Sequence, residues 1–201
     1  EISKKLSERG YHVYSIDESQ DMVNYVQETC PKVHSKCGNA KEPIHYEKSS
    51  FSHAICNGLG LYLFEDKNEF FRNCFFWLKS GGYLILHCVD PMKFDTIVPA
   101  GRPPLLENPQ QFSQTRITKS AINFGDFSYK GGYDFSKDGE VVFRESFTDG
   151  LTKNVREQET VYYMEPLEHI LKLASYNGFI LKGQVNFSQA CGDEYQYLII
   201  L

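Results

Sequence analysis

The stretch from Phe75 to Pro91, FFWLKSGGYLILHCVDP, limits the fold more than any other part of the chain. Phe71, Phe75, Phe76 and Leu78 recur near helical spacing, so its first residues read as the apolar end of a helix. Lys79-Ser80-Gly81-Gly82 cuts that pattern, and paired glycines suit a helix C-terminus because a left-handed residue there carries no Cβ penalty. Tyr83 to Val89 is then nearly all apolar and too short for a helix. It predicts a strand buried on both faces, as in a parallel sheet covered by helices. Asp90-Pro91 ends it, and the C-terminal ends of such strands are where open α/β sheets hold ligands. The competing reading is a helix followed by an ordinary sandwich strand.

With 201 residues, 41% of them hydrophobic, the chain can bury one substantial core with a lobe attached. Its 15 Phe and 13 Tyr favour order over disorder. The formal charge of -5 gives no general attraction to polyphosphate or to an anionic membrane surface. Cys30, Cys37, Cys56, Cys74, Cys88 and Cys191 show no CxxC spacing, and several sit in apolar runs. They read as reduced core thiols, which points to a cytoplasmic setting. No apolar run has membrane-spanning length, and HExxH, GxSxG and P-loop motifs are absent.

Short strands alternate with helices over the first ninety residues, which argues for parallel βα units. Residues 1–9 place Ile2 and Leu6 on one helical face; Tyr11–Ile16 is β-prone; Gln20–Thr29 carries Met22, Val23 and Val26 on a helical stripe. Val33–Cys37 and Phe51–Cys56 are further strands, and Phe64–Leu78 is the helix before the organising run. Met92–Asn108 is proline-rich and aperiodic, and residues 112–163 alternate as an antiparallel lobe, with turns expected at Lys130-Gly131-Gly132 and Lys137-Asp138-Gly139. A helix from Pro166 to Asn177-Gly178 and two strands, Phe179–Phe187 and Tyr195–Leu201, close the chain.

The ordered set YSID (14–17), ESQDMVNYV, CGNA (37–40), FSHAICNGLG (51–60), WLKSGGYLILH (77–87) and the closing YNGFILKG…EYQYLIIL resembles the class I S-adenosylmethionine-dependent methyltransferases. The resemblance covers about the first ninety and last forty residues. It implies a Rossmann-like three-layer α/β sandwich: a mostly parallel sheet with a C-terminal antiparallel hairpin and an antiparallel lobe inserted over residues 92–163. It also implies that the first strand and its glycine-rich loop are missing, since Glu1 corresponds to the helix after them. The expectation is one domain over residues 1–201, incomplete at its N-terminus, because a central gap would leave backbone groups of both neighbouring strands unpaired.

By the same resemblance the cofactor is S-adenosylmethionine, held by Asp17, Glu18, Met22, Gly38, Asn39, Ala40, Asn57, Gly58 and Leu59. Asp17, at a strand's end, has two roles open to it: accepting hydrogen bonds from ribose hydroxyls or capping the next helix. Asn39 stands where the family often has Asp; it can accept from an adenine amino group or simply form a Gly-Asn turn. Asn57, Gly58 and Leu59 follow the strand at which cofactor sulfur and substrate meet in that family. Tyr62 and His87 read first as packing residues and second as cavity residues, Asp90 as a substrate contact or a turn cap, and no residue is assigned to catalysis. The expected function is methyl transfer to a small molecule or another accessible nucleophile, in a homo-oligomer or larger assembly, without membrane or nucleic-acid partners. A noncatalytic methyltransferase-like binding module is the alternative; a nicotinamide-dependent oxidoreductase shares only Asp17 and is opposed by the closing hairpin.

Overall fold

Strand β1 (Val13–Asp17) pairs in parallel with β2 (Val33–Cys37), in register from Val13↔Val33 to Asp17↔Cys37. Ser15 and Ser35 hydroxyls meet at 2.7 Å across this ladder, and Tyr14 stacks on His34. The computed structural model describes residues 1–98, 109–137 and 139–201, and only the backbone at Gln111 and Cys191. It divides into two compact units, Glu1–Ser52 with Asn68–Gly82, and His53–Lys67 with Tyr83–Leu201.

In the first unit, α1 (Ile2–Glu8) precedes β1, and α2 (Gln20–Thr29) links β1 to β2. Ser19 caps α2 by accepting from Met22 N at 3.3 Å, which ties one free N–H of the first turn. On the expected stripe of α2, Val23 is buried while Met22 is half exposed. Helix α3 (Lys67–Trp77) sends two side chains to the segment after β2: Asn73 Nδ2 donates to Ala40 O at 3.0 Å and Trp77 Nε1 to Pro43 O at 3.1 Å. Helix α3 ends at Trp77, and Lys79–Gly82, expected at the helix C-terminus, lies in the following strand with Gly81 in the expected left-handed conformation. Strand β4 runs Leu78–Val89 directly from the helix, and the glycines serve that transition. Gly81 has φ +73°, and a Cβ on Gly82 would lie 2.9 Å from Lys79 O and 3.0 Å from Ser52 O.

In the second unit, β3 (Phe51–Cys56, its first residues in the first unit) and β4 join β10 (Gln196–Ile200) and β9 (Gly183–Asn186) in the order β3-β4-β10-β9. Leu84, Leu86, Cys88 and Val89 are fully buried, so the end of β4 is covered on both faces, as its apolar letters require. Helix α4 (Leu167–Tyr176) buries Ile170 and Ala174, and β10 pairs antiparallel with both β4 and β9, giving the expected closing hairpin. The antiparallel pairs fall where the sequence leads one to expect them, in the closing hairpin and the inserted lobe. The β1–β2 ladder is parallel, while β10–β4, β10–β9 and the whole of a third sheet are antiparallel.

That third sheet is a meander of β5 (Lys119–Asn123), β6 (Phe127–Lys137), β7 (Glu140–Asp149) and β8 (Val155–Tyr163). Residues 99–108 of the expected lobe, and Asp138 of its second expected turn, lie outside the described residues. Lys130-Gly131-Gly132 is not a turn but the middle of β6. A Cβ on Gly131 would lie 2.4 Å from the Tyr129 hydroxyl, which reaches past it to Glu145 Oε1 at 2.8 Å. A glycine pair marks close approach here rather than reversal.

Two buried polar side chains fix the second unit's loops. Tyr62 is fully buried after β3, and its hydroxyl accepts from Val89 N at 2.9 Å while donating to Val89 O at 3.3 Å. Lys67, only 1% exposed, donates to Phe64 O and Tyr163 O, each at 2.9 Å, and pairs with Glu165 at 3.1 Å. Such a buried cation is tolerated because every direction it points carries an acceptor. Replacing Tyr62 by Phe keeps the ring and strips Val89's backbone of both bonds. We expect the unfolding free energy to fall by about 1–3 kcal/mol in urea denaturation; an unchanged value would contradict this role.

Candidate functional site

The residues expected to bind a cofactor fall into two groups, one in each compact unit. In the first unit the level register of β1 and β2 sets Asp17 opposite Cys37, and Gly38 N donates to Asp17 O at 3.0 Å. Asp17, Glu18, Met22, Gly38, Asn39 and Ala40 are thereby gathered at one end of a parallel strand pair. Asp17 is exposed; its Oδ1 accepts from Ser19 N at 2.9 Å, and its Oδ2 has no partner among the described residues. One oxygen of Asp17 thus closes the turn into α2, whose cap is Ser19 rather than Asp17. Glu18 is exposed, and its carbonyl accepts from Cys37 Sγ at 3.4 Å. Cys37 is thus an exposed thiol, not the core thiol expected.

Asn39 closes its own turn, its Oδ1 accepting from Lys41 N at 2.8 Å, and Ala40 O is taken by Asn73. Gly38 is packed from one side: a Cβ there would fall 2.2 Å from the His45 ring. The glycine at this position is accounted for by His45, a neighbour that the sequence did not single out. Tyr46 lies close by in sequence, edge-on to both Phe51 and Trp77, and burial pushes its hydroxyl up to about 12.

In the second unit Asn57, Gly58 and Leu59 follow β3, with Gly58 at φ +62°. They line a cavity of about 640 Å³ together with His87 of β4, Phe94 to Val98, Tyr133 of β6, Phe187 and Gln196. Tyr62 is not among its lining, so packing is its role, and Asp90 caps the turn after β4 through Met92 N at 2.9 Å. From the lobe, Tyr133 lines this cavity, whereas Arg144 pairs along the sheet with Glu159 at 2.8 Å and Asp134 at 3.3 Å.

His87 is a cavity residue that reads in the sequence first as packing, and Gln196 and Asp193 were missed. Nothing in their letters sets them apart from an ordinary hairpin; the antiparallel pairing of β10 with β4 brings them in. His87 is 9% exposed, its Nε2 lies 2.9 Å from Gln196 Oε1, and its ring is tilted against Phe187. Burial lowers its affinity for a proton below the ordinary imidazole value, against smaller opposing effects of Gln196, the Gly58 backbone and Asp193. The Cys56 and Cys88 thiols are pushed by burial up to about 12, so neither is a thiolate nucleophile at neutral pH.

A lowered folded-state value means that unfolded chains bind more protons as pH drops through the histidine range. The stability contributed by neutral His87 is therefore full above the ordinary value of 6.5 and is lost as pH falls through it toward the folded value. Between about pH 8 and pH 5, unfolding free energy should fall more steeply for wild type than for His87→Asn. Parallel pH curves for the two proteins would refute it.

Residues 1–86 match the family model of a methyltransferase domain. No curated protein matches the chain. Among solved structures, an S-adenosylmethionine-dependent methyltransferase from Clostridium acetobutylicum superposes with a TM-score of 0.73 at 16% identity, over 99% of this chain and 78% of that one. CalS10, an amino pentose methyltransferase from Micromonospora echinaspora solved with bound S-adenosylmethionine, gives 0.66 at 12% identity over 97% and 76%. KedS8, a sugar N-methyltransferase from a Streptoalloteichus species, gives 0.62 at 11% over 93% and 70%. At such identities the likeness establishes fold. Over residues 1–86 the chain is similar to a methyltransferase domain, and its α/β fold is similar to that of S-adenosylmethionine-dependent methyltransferases.

Proposed function

We propose that the protein is an S-adenosylmethionine-dependent methyltransferase acting on a small molecule. The observation that carries this reading is the exposed Asp17 carboxylate at the end of the β1–β2 pair, its Oδ2 without a partner among the described residues, in the part of the chain matching a methyltransferase domain. Asp17 would hold the ribose hydroxyls through that free oxygen, with Glu18 beside it. Half-exposed Met22 supplies an apolar wall for the adenine. The second lone pair of Asn39 Oδ1 remains for the adenine amino group, and the backbone of Gly38 and Ala40 borders it. Asn57, Gly58 and Leu59 are assigned to the methionine end, and the cavity they line to the methyl acceptor.

The cofactor supplies a sulfonium methyl, an electrophile strong enough that the protein's main tasks are alignment and electrostatics. The second unit's cavity provides aromatic walls from Phe94, Tyr133 and Phe187 and a polar floor from His87 and Gln196. That lining suits a small acceptor with one polar nucleophilic group. The solved relatives that methylate amino sugars support this acceptor class. Among the described residues no helix is long and apolar enough to cross a membrane. A cytoplasmic setting and a homo-oligomeric or larger assembly belong to the same proposal.

Two observations favour the noncatalytic binding module as the second reading: Asn39 already spends its side-chain oxygen on Lys41 N, and the His45 ring fills the space over Gly38. Titration calorimetry separates the two readings. Micromolar binding of S-adenosylmethionine, weakened about 10- to 100-fold by Asp17→Ala, is the expected result. Absence of binding to wild type would favour the module, and equal binding by both proteins would remove Asp17 from the site.

A further inference from the structure

The polar wall of the second unit's cavity has a direction built into it. Asp193, 4% exposed, accepts three N–H groups: Tyr195 N on Oδ1 at 2.9 Å, and Asp95 N and Gln196 Nε2 on Oδ2, each at 2.8 Å. A carboxylate receiving three N–H donors must take the NH₂ end of the Gln196 amide, so Oε1 of that amide is turned to His87 Nε2. An amide oxygen cannot donate. The hydrogen in that 2.9 Å contact therefore belongs to His87, and the neutral ring is the Nε2–H tautomer.

Nδ1 is then the nitrogen that carries the lone pair. His87 also meets the Gly58 backbone through a hydrogen bond that favours the protonated ring, so Gly58 offers its carbonyl. A neutral imidazole can satisfy only one of the two acceptors around it; a ring that gains a proton satisfies both. Resting neutrality and a prepared place for one extra proton are what a general base needs. The other ionisable side chains around the cavity are Asp95 and Tyr133 on its wall and Asp193 behind Gln196. Arg116, stacked on Phe94 at 4.8 Å, offsets part of the acidic charge.

We propose that His87 takes up the proton given off when a hydroxyl or amine acceptor in this cavity is methylated, with Gln196 and Asp193 as positioning residues that keep Nδ1 the unprotonated nitrogen. The proposal rests on the methyltransferase reading above. The acceptor's lone pair forms the new bond to the methyl carbon. The carbon–sulfur bond of the sulfonium donor breaks with its electron pair going to sulfur, and the acceptor's O–H or N–H proton passes to His87 Nδ1. The imidazolium then donates to Gln196 Oε1 and Gly58 O before releasing the proton to solvent.

Two measurements on the full chain test this. Long-range ¹H–¹⁵N correlation spectra, with the His87 signals assigned by their loss in His87→Asn, should show the Nε2–H tautomer at neutral pH in wild type. They should show a mixture of tautomers in Gln196→Leu. An Nδ1–H ring in wild type, or an unaltered ring in Gln196→Leu, overturns the positioning roles. Transfer of labelled methyl from S-adenosylmethionine to a panel of aminodeoxy sugars and amino alcohols should fall about 100-fold or more in His87→Asn with cofactor binding unchanged. In Gln196→Leu the acid limb of the pH–rate profile should move. Transfer that survives His87→Asn, or wild type that binds the cofactor and methylates none of the panel, overturns the proton-acceptor role. Wild type that does not bind the cofactor overturns the methyltransferase reading itself.

Discussion

The hydroxyl of Tyr62 holds the last residue of β4 by both its backbone groups. Val89 ends a run whose alternate and then consecutive side chains are fully buried, so its N–H and C=O have no route to water. A buried backbone pair left without partners is costly, and a phenol that both accepts and donates satisfies it in one contact. Burial in turn keeps that phenol un-ionised, raising its proton affinity well above the usual range. With the end of β4 fixed to the segment after β3, His87 is held two residues back along the strand and Asn57 to Leu59 are held before Tyr62. Those two segments form one part of the lining of the second unit's cavity.

The same economy governs the rest of that unit. Lys67 and Asp193 are charged side chains with almost no exposure, and each is surrounded by groups of the opposite hydrogen-bonding sense. Neither gains much net stability from burial, but each would be costly to leave with any partner missing. They therefore specify arrangement: Lys67 ties Phe64 and Tyr163, and Asp193 sets the face that Gln196 turns toward His87. The first unit uses shorter devices. Asp17 and Asn39 each accept a backbone N–H two residues ahead, and what they retain for a ligand is one carboxylate oxygen and one lone pair.

Apolar periodicity carried most of the element order. The interior strand in Tyr83–Val89, the helix over Gln20–Thr29, the helix after Pro166 and the closing hairpin all follow from it, because each is long or strongly patterned. Glycine pairs are only partly legible: Gly81 takes the left-handed conformation expected after a helix, while Gly131-Gly132 forms no turn. Gly81-Gly82 and Gly131-Gly132 look like a helix end and a turn in one dimension, yet both lie in strands, where the missing side chain makes room for Lys79 O and Ser52 O in one case and the Tyr129 hydroxyl in the other. Of the nine expected cofactor residues, eight were legible only as positions at or after strand ends and Met22 only as part of a helical stripe. His87, Gln196 and Asp193 were not, since their meaning arises from a pairing across more than a hundred residues, as in the contact of His87 with Gln196. His45 over Gly38 was hidden for the same reason: which ring covers a glycine is decided by packing, not by local letters.

Under the proposed function, Asp17 and Asn39 mark a nucleoside site at the end of the β1–β2 pair. A crystal structure of the protein soaked with S-adenosylhomocysteine tests it most directly. The account predicts ribose hydroxyls within hydrogen-bond distance of Asp17 Oδ2 and an adenine edge at Asn39. A nucleoside bound away from both residues, with Asp17 still holding only Ser19 N, would contradict it.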